Sequence, residues 1–352
     1  MLDFSELNRQ IVPLDAASME QSRAQWNAIA KPVGSLGAFE ILVERMAGII
    51  GSKDVDIHKR CVVVVCSDNG VVAEGVTQGG SEITRAIADA LATGQSSVCA
   101  LCAPAHIEVR AVDVGMAQPA RQPQVKDLHI ARGTGNIVQE PAMDRASAEA
   151  AIQVGMDLIA QLAREGYGIV ATGEMGIGNT TTSSAMASVY LDAPAEEVTG
   201  KGAGLSEKDY AHKIDVVRRA VARRAPDPHD ALDVLAKLGG YDIAALAGMF
   251  IGGALFRVPV IMDGFISEVA ALTAVKLVPA CKQAIFASHL SVEPAAKRIM
   301  DELGFDPVLH AGMHLGEGTG AVCLIPLLDM ALSLYGGTTF EETGIEAYDP
   351  SL

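Results

Sequence analysis

Apolar and polar residues alternate in blocks along this chain, and the period of each block predicts the element that it forms. The continuous valine run at 61–66 predicts a strand buried on both faces, and largely apolar segments predict further strands at 107–115, 168–172 and 258–265 and a short one that ends at residue 287. Apolar positions that recur on one helical face predict helices at 19–29, 36–50, 82–92, 144–164, 206–223, 229–238, 243–256 and 266–278. Repeated strand and helix units of this size predict an α/β fold with a mainly parallel, doubly wound sheet.

The stretch 168–185 is the most informative, because a short strand turns there through a glycine-rich corner into a helix that begins near Asn179. Gly173, Gly176 and Gly178 allow positive φ and a close approach of backbone to ligand. The first N–H groups of the helix are unpaired and carry partial positive charge. The corner therefore suits a phosphate.

The corner differs from two familiar phosphate-binding motifs. No lysine follows its glycines as in a Walker loop, and the glycine spacing is not that of a dinucleotide-binding turn. A tight turn without a ligand remains the alternative. Glu174 favours a ligand, since a carboxylate would repel a phosphate beside it and is better suited to accept hydrogen bonds from sugar hydroxyls.

Composition limits the partners of the protein. The 352 residues are 49% hydrophobic and carry a net charge of −16, which argues against nucleic acid and anionic membranes as partners. The longest uncharged apolar run, 243–256, is too short to cross a bilayer. The N-terminus lacks the basic and then apolar order of a signal peptide, so we expect a cytoplasmic protein.

Cysteine and histidine spacing gives no sign of a metal. Six cysteines are scattered in apolar segments, as reduced core thiols are. Cys99 and Cys102 form a CxxC, for which core packing is favoured over a zinc or redox role because no second pair accompanies it. We therefore predict no metal and no cofactor.

Further polar residues fall at predicted strand ends. Asp68 and Asn69 follow the strand 61–66, where they either contact a ligand or close an Asx turn. Lys201 and Lys213 could each face the phosphate, and a solvated surface charge is the alternative for either one.

Other residues are expected at loop and helix boundaries. Arg132 is available to an anion at the end of a long polar loop. Ser81 and Ser291 are expected to cap helices, with Pro294 in the first helical turn and His289 at a strand's carboxyl end.

Glu317 stands between two glycines in a turn that leads into a strongly apolar helix. Burial there would raise the pKa of its carboxyl group and suit it to act as a base. The alternative is a glutamate placed at a helix N-terminus because the helix dipole favours it.

Eight blocks of the chain resemble one enzyme family: KPVGSLG, SDNGVVAEGV, ARGTGN, TGEMGIGNTTTSSA, TGKGAGL, DGFISEVAAL, SHLSVEP and HLGEGTGA. In this order they are similar to the nicotinate-nucleotide:5,6-dimethylbenzimidazole phosphoribosyltransferases, along almost the whole chain. The resemblance implies transfer of phosphoribose from nicotinate mononucleotide to a benzimidazole, which gives α-ribazole 5′-phosphate for the lower ligand of cobalamin.

The resemblance also implies an architecture and a set of site residues. The fold would be a large Rossmann-like domain, 45–315, with a small helical domain from both chain ends, 1–44 and 316–352, in a homodimer. Glu317 would be the catalytic base. The substrate-binding residues would be Ser81, Glu174, Gly176, Ile177, Gly178, Asn179, Thr180, Thr181, Gly202, Lys213, Ser291, Leu315 and Gly316.

The implied chemistry suits a site without a metal. The pyridine nitrogen of nicotinate mononucleotide is positively charged and becomes neutral when its bond to the ribose breaks, whereas a pyrophosphate leaving group needs Mg²⁺. The benzimidazole must lose a proton as it attacks, and a positioned carboxylate can take it. Attack from the opposite face inverts the anomeric carbon. A nucleotide hydrolase and a non-catalytic nucleotide sensor remain the rival interpretations.

Overall fold

The centre of the protein is a strand of eight residues, every one of them buried, which contains the valine run. In the computed structural model, which describes residues 1–202 and 204–346, this strand pairs in parallel with a neighbour on each side. The six strands are β1 Arg60–Ser67, β2 Glu108–Gly115, β3 Lys126–Asp127, β4 Ile169–Met175, β5 Val260–Met262 and β6 Ile285–Ala287.

All pairings among these six strands are parallel, and their order is β3-β2-β1-β4-β5-β6. This is the strand order of a Rossmann fold, so the predicted α/β class with a doubly wound parallel sheet is confirmed. From β1 the chain adds β2 and β3 on one side of the sheet, and it then adds β4, β5 and β6 on the other side, so the direction of strand addition reverses between β1 and β4. In such sheets, ligands bind in the crevice beyond the carboxyl ends of the strands at this reversal.

Helices cover both faces of the sheet and join its strands. They are α1 Phe4–Gln10, α2 Ala16–Ala28, α3 Ala38–Ile50, α4 Ser81–Ala92, α5 Ser97–Cys102, α6 Arg145–Arg164, α7 Asn179–Tyr190, α8 Ala195–Val198, α9 Glu207–Arg224, α10 Ala231–Leu238, α11 Tyr241–Leu255, α12 Phe265–Leu277, α13 Ala296–Leu303, α14 Thr319–Tyr335 and α15 Phe340–Thr343. Short 3-10 helices span Gly70–Glu74 and Pro279–Ala284. No helix in the described ranges is long and apolar enough to cross a membrane.

Two of the predicted helix caps are wrong. Helix α4 already begins at Ser81, and its cap is Gly80, whose N–H is bonded by the side chain of Glu82. Helix α13 begins only at Ala296, so Ser291 is too far upstream to cap it and Pro294 precedes its first turn. In both places a hydroxyl residue lies near the helix start, but the N-cap is the residue before the helix, Gly80 or Ala295.

The two ends of the chain pack against each other. Trp26 of α2 and Tyr335 of α14 lie with their ring centroids 4.8 Å apart, and Val43 of α3 completes a small separate cluster. Ile29 also forms an antiparallel bridge with Thr339. The division into domains 45–315 and 1–44 with 316–352 stays a prediction, and its last six residues, 347–352, lie outside the described part of the chain.

Candidate active site

A cavity of about 410 Å³ opens at the carboxyl ends of β4, β5 and β6. Most of the residues expected from the sequence line it: Glu174, Gly176, Ile177, Gly178, Asn179, Thr180, Gly202, Lys213, Ser291, Leu315, Gly316 and Glu317. Two do not. Thr181 points into the protein interior and is fully buried, and Ser81 lies outside the cavity wall.

The glycine-rich corner after β4 forms one end of the cavity. Gly178 is the N-cap of α7 with φ of +93°, a left-handed conformation that a side chain would strain. A Cβ on Gly176 would come within 2.5 Å of the carbonyl oxygen of Ser67, so the end of β1 leaves no room for a side chain there. The N–H groups of Gly178 and Thr180 find no acceptor in the described residues. The corner thus presents free donors, as a phosphate site requires.

Lys213 reaches this corner from α9. Its side chain is 1% exposed, and its Nζ donates to Thr180 Oγ1 and to the carbonyl of Gly200, each at 2.9 Å. Burial lowers its pKa to about 8. The interpretation as a solvated surface charge is therefore wrong for Lys213 and fits Lys201, which is 46% exposed and paired with Glu207.

Glu174 lies buried in the wall beside this corner. The Nδ2 of Asn179 donates to the Glu174 carboxyl and also, at 3.0 Å, to Asp242 Oδ2. Burial raises the pKa of Glu174 well above its ordinary value, and the nearby carboxyls of Asp242 and Asp263 raise it further, against the Asn179 hydrogen bond. A protonated carboxyl both donates and accepts, as a group that binds a sugar hydroxyl should.

Glu317 is held in a strained turn on top of β4. It has φ of +60° and is flanked by Gly316 and Gly318, each with φ of +88°. The Glu317 carbonyl oxygen would lie only 2.6 Å from a Cβ on Gly173. Glycine at this position of β4 therefore allows the turn to pack closely against the strand. Backbone strain of this kind persists only where the surroundings enforce it, and it is concentrated at functional sites.

The alternative, a Glu317 favoured by a helix dipole, stays open, because Glu317 lies two residues before α14 begins and accepts from the Val98 N–H in the first turn of α5. Glu317 does not itself cap α14. Helix α14 begins at Thr319, and the carboxylate at its N-terminus is Asp263, which accepts from the N–H of Gly318 at 3.2 Å and of Ala321 at 2.9 Å. Asp263 thereby fixes the turn and leaves the Glu317 side chain free of that role.

The Glu317 carboxyl group is half-buried rather than enclosed by the apolar helix. Its Oε2 accepts a hydrogen bond from the N–H of Val98, at the start of α5, at 3.2 Å. The structure therefore orients this carboxylate through one oxygen and leaves the other oxygen available, instead of surrounding the group with apolar residues as the sequence suggested.

The sequence predicts only that His289 lies at the carboxyl end of a strand, and the structure places it in the cavity wall. Its Nδ1 lies 3.0 Å from Ser288 Oγ, which itself donates to the carbonyl of Met262 at 2.7 Å. Because the Ser288 hydroxyl donates its hydrogen to Met262, its oxygen accepts from His289, so Nδ1 is the protonated ring nitrogen. Burial lowers the pKa of His289, so its ring is neutral at physiological pH.

Apolar side chains form the rest of the cavity wall, and sequence reasoning missed most of them because their positions look like ordinary core. They come from the loop before α4, from α4 itself, from β4, from the loop before α9 and from the start of α12: Val76, Ile83, Met175, Leu205, Phe265 and Ile266. Together with the exposed Leu315, they offer a surface suited to a flat aromatic ring.

Three other candidates lie outside the cavity wall. Asp68 Oδ2 accepts from the N–H of Ala117 at 2.7 Å, a bond to the loop after β2 rather than the local bond of an Asx turn. Asn69 is buried at the end of β1 beside Thr182. Arg132 pairs with Asp113 at 2.7 Å.

One group in the described part of the chain has the spacing of a metal site: Asp113, Asp127 and His129. The guanidinium of Arg132 already lies within 2.7 Å of Asp113 and 3.6 Å of Asp127, so it supplies the positive charge there. The absence of a metal from the reaction stays a prediction.

Comparison with known proteins identifies the family. Residues 11–345 match the model of the DBI_PRT family, described as phosphoribosyltransferase. The chain belongs to this family. It is 41% identical over 335 residues, 95% of each chain, to a nicotinate-nucleotide–dimethylbenzimidazole phosphoribosyltransferase of Acetivibrio thermocellus, and 39% identical over 336 residues to one of Escherichia coli, which covers 95% of this chain and 94% of that one.

Solved structures agree with this assignment to the phosphoribosyltransferases. A crystal structure of CobT from Thermus thermophilus superposes with a TM-score of 0.88 at 34% identity, over 94% of this chain and all of that one. A second structure from the same organism, titled as the nicotinate-nucleotide–dimethylbenzimidazole enzyme, gives a TM-score of 0.87. The protein is thus a phosphoribosyltransferase with the fold of these enzymes.

Proposed function

We propose that this phosphoribosyltransferase moves phosphoribose from nicotinate mononucleotide to 5,6-dimethylbenzimidazole or a related base. The products are nicotinate and α-ribazole 5′-phosphate, the nucleotide part of the cobalamin lower ligand. The observation that carries the proposal is a single cavity bordered both by a phosphate-type corner with a buried lysine and by the oriented carboxylate of Glu317.

The phosphate would lie at the corner after β4. Free N–H groups of Gly178 and Thr180, the positive end of α7 and the ammonium of Lys213 converge there. Gly202 lies beside Lys213, because a Cβ on Gly202 would come 3.3 Å from Lys213 Nζ. The backbone of Gly202 therefore also lies at the phosphate end of the cavity. These groups can fix the non-reacting end of the substrate, and positioning of this kind lowers the barrier at the reacting end.

The ribose would lie against Glu174, whose carboxyl group can donate to one sugar hydroxyl and accept from another. The acceptor base would lie among the apolar side chains, next to Glu317. This order along the cavity runs from phosphate through ribose to base, as in the product.

Glu317 would take the proton of the attacking base. When a ring nitrogen of the benzimidazole bonds to the anomeric carbon, the ring becomes cationic, and its remaining N–H becomes far more acidic than in the free base. An ordinary carboxylate can accept such a proton, so the half-buried position of Glu317 suffices. Nicotinate leaves as a neutral pyridine ring and needs no acid or metal to help it depart.

We further propose inversion at the anomeric carbon, because nicotinate and the entering base would occupy opposite faces of the ribose. A β-nucleotide would then give an α-riboside.

The same proposal includes a homodimer in the cytoplasm. Large apolar side chains are exposed on α14 and on its neighbour α5, with Met330 69%, Leu101 40% and Leu334 37% exposed. Exposed apolar groups at neighbouring positions are typical of contact surfaces. We expect light scattering to give the mass of two chains, and Met330→Glu to shift the protein toward one chain.

The function is tested by incubating the purified protein with nicotinate mononucleotide, with and without 5,6-dimethylbenzimidazole, and by separating the products. We expect α-ribazole 5′-phosphate and nicotinate in equal amounts, and almost no nicotinate without the base. Release of nicotinate and ribose 5-phosphate at the same rate without the base would instead identify a hydrolase. Binding of the nucleotide without any product would identify a sensor.

A further inference from the structure

Glu293 lies at the phosphate end of the cavity and has no part in the function proposed above. It follows β6 and lines the cavity wall. Its Oε2 is buried and has no hydrogen-bond partner in the described residues. A Cβ on Gly200 would lie only 1.7 Å from that oxygen, so the carboxyl group packs directly against the Gly200 backbone.

This position brings Glu293 to the groups that would hold the phosphate. The carbonyl of Gly200, against which the carboxyl packs, accepts the hydrogen bond from Lys213 Nζ at 2.9 Å. The N–H of Gly202 also faces the Glu293 carboxyl. A phosphate bound by Lys213 and the backbone of Gly202 would therefore share its donors with this carboxyl group.

The charged groups around Glu293 come from three elements. Lys213 of α9 and His314 of the turn before α14 favour its anionic form. Glu268 of α12 is fully buried, and neither of its oxygens has a partner in the described residues. Burial is the largest influence and raises the pKa of Glu293, as it also raises the pKa of Glu268. The pocket thus makes protonation of the Glu293 carboxyl group easier than in water.

An arriving phosphate strengthens this tendency. Two anions that share one ammonium repel each other, and a nearby negative charge raises the pKa of a carboxyl group. A protonated carboxyl removes the repulsion and can donate its O–H to a phosphate oxygen, which gives a short and strong charge-assisted hydrogen bond.

We propose that Glu293 couples phosphate binding to the uptake of one proton, so that its carboxyl group is neutral in the complex and donates a hydrogen bond to the phosphate. The proton comes from solvent and stays while the phosphate remains bound, through the transfer step, until the phosphorylated product leaves. This inference rests on the proposed function for the identity of the phosphorylated ligand.

The test compares dissociation constants for nicotinate mononucleotide, measured by calorimetry without an acceptor base between pH 6.5 and 8.5. Three proteins are compared: the unchanged chain, Glu293→Gln, and the control Glu302→Gln, the same change at an exposed position of α13. Glutamine keeps a hydrogen-bond donor but cannot ionise. Titration of the phosphate affects all three proteins alike, so it cancels in the ratios. Glu293 raises the pKa of Lys213, so Glu293→Gln lets Lys213 lose its proton at a lower pH. That effect lowers the ratio at rising pH and is opposite in sign to the rise expected below.

Deprotonation of Glu293 at rising pH should weaken binding. We expect the dissociation constant of the unchanged chain, divided by that of Glu293→Gln, to rise with pH, by up to about tenfold per pH unit for one proton. The Glu302→Gln control should follow the unchanged chain. With nicotinate riboside, which lacks the phosphate, the ratio should stay flat.

Equal pH dependence in the unchanged chain and in Glu293→Gln overturns the inference and leaves the proposed function intact. Failure of the unchanged chain to bind nicotinate mononucleotide at any pH overturns the proposed function, and the inference with it. If Glu293→Gln does not fold, the number of protons taken up on binding is measured instead. This number comes from calorimetry of the unchanged chain in buffers of different ionisation enthalpy. Nicotinate mononucleotide should take up more protons than nicotinate riboside over this pH range, and equal uptake contradicts the inference.

Discussion

The carboxyl end of β4 and the turn before α14 each carry a glutamate that follows a glycine, yet the two environments differ. Glu174 is 7% exposed, and burial raises the pKa of its carboxyl group well above the ordinary value. Glu317 is half-buried, and one of its oxygens accepts a backbone hydrogen bond from Val98. Two glutamates that each follow a glycine in the sequence therefore have different burial and different hydrogen-bond partners.

This difference predicts a division of work. A buried carboxyl group whose pKa is raised, as at Glu174, is suited to bind hydroxyls. A carboxylate with a free oxygen can accept a proton from the attacking base. We therefore assign binding to Glu174 and proton transfer to Glu317, and the predictions below test this division from the largest expected effect to the smallest.

Glu317→Ala should reduce the rate of transfer to 5,6-dimethylbenzimidazole by about 10² to 10⁴, since general-base assistance contributes this much. Binding of nicotinate mononucleotide should stay nearly unchanged, as measured by calorimetry. An acceptor without an N–H proton to lose should react at nearly the same rate in both proteins. Normal turnover of benzimidazoles by Glu317→Ala would mean that another group is the base, with Glu174 and Asp263 the next candidates.

Lys213→Met should weaken binding of nicotinate mononucleotide by about 10- to 150-fold, which corresponds to the loss of a hydrogen bond from a charged group. The thermal midpoint should not fall much, because methionine has a similar volume and removes a buried charge. Nicotinate riboside should bind equally to both proteins. If its binding fell by the same factor, Lys213 would not be at the phosphate.

Glu174→Gln should raise the dissociation constant of nicotinate mononucleotide by about 2- to 12-fold, because one neutral hydrogen bond is altered. The shape of the pH–rate profile should be retained. A changed pH profile with unaltered binding would exchange the roles of the two glutamates.

Exhaustive treatment with EDTA should leave the activity unchanged, the smallest effect in this series. The physical reason is that the ring nitrogen of nicotinate departs uncharged, so no cation is required to offset developing negative charge. Loss of activity that added Mg²⁺ or Zn²⁺ restores would contradict this mechanism.

The sheet could be predicted from sequence because strand and helix periodicities are local. The valine run of β1 and the cap at Asp144, which accepts from the N–H of Ser147 at 2.7 Å, are both determined by neighbouring residues. The two-residue strand β3 and the six-residue helix α5 were missed, because elements this short depend on packing rather than on a repeated pattern.

The candidate site was predictable where glycines indicate a close approach, as at Gly173 and Gly178. It was not predictable where function depends on distant contacts. Nothing near Lys213 in sequence indicates that its ammonium is buried beside Thr180, and nothing near Glu317 indicates the hydrogen bond from Val98. These contacts join residues 33 and 219 positions apart.

The division of work is tested most directly by a crystal structure of the protein with α-ribazole 5′-phosphate bound. We expect the phosphate within hydrogen-bond distance of Lys213 Nζ and the Thr180 N–H, a ribose hydroxyl on the Glu174 carboxyl, and the free ring nitrogen of the base facing the Glu317 carboxylate. A phosphate bound at the 314–317 turn, or a base whose ring nitrogen lies beyond the reach of Glu317, would contradict the account.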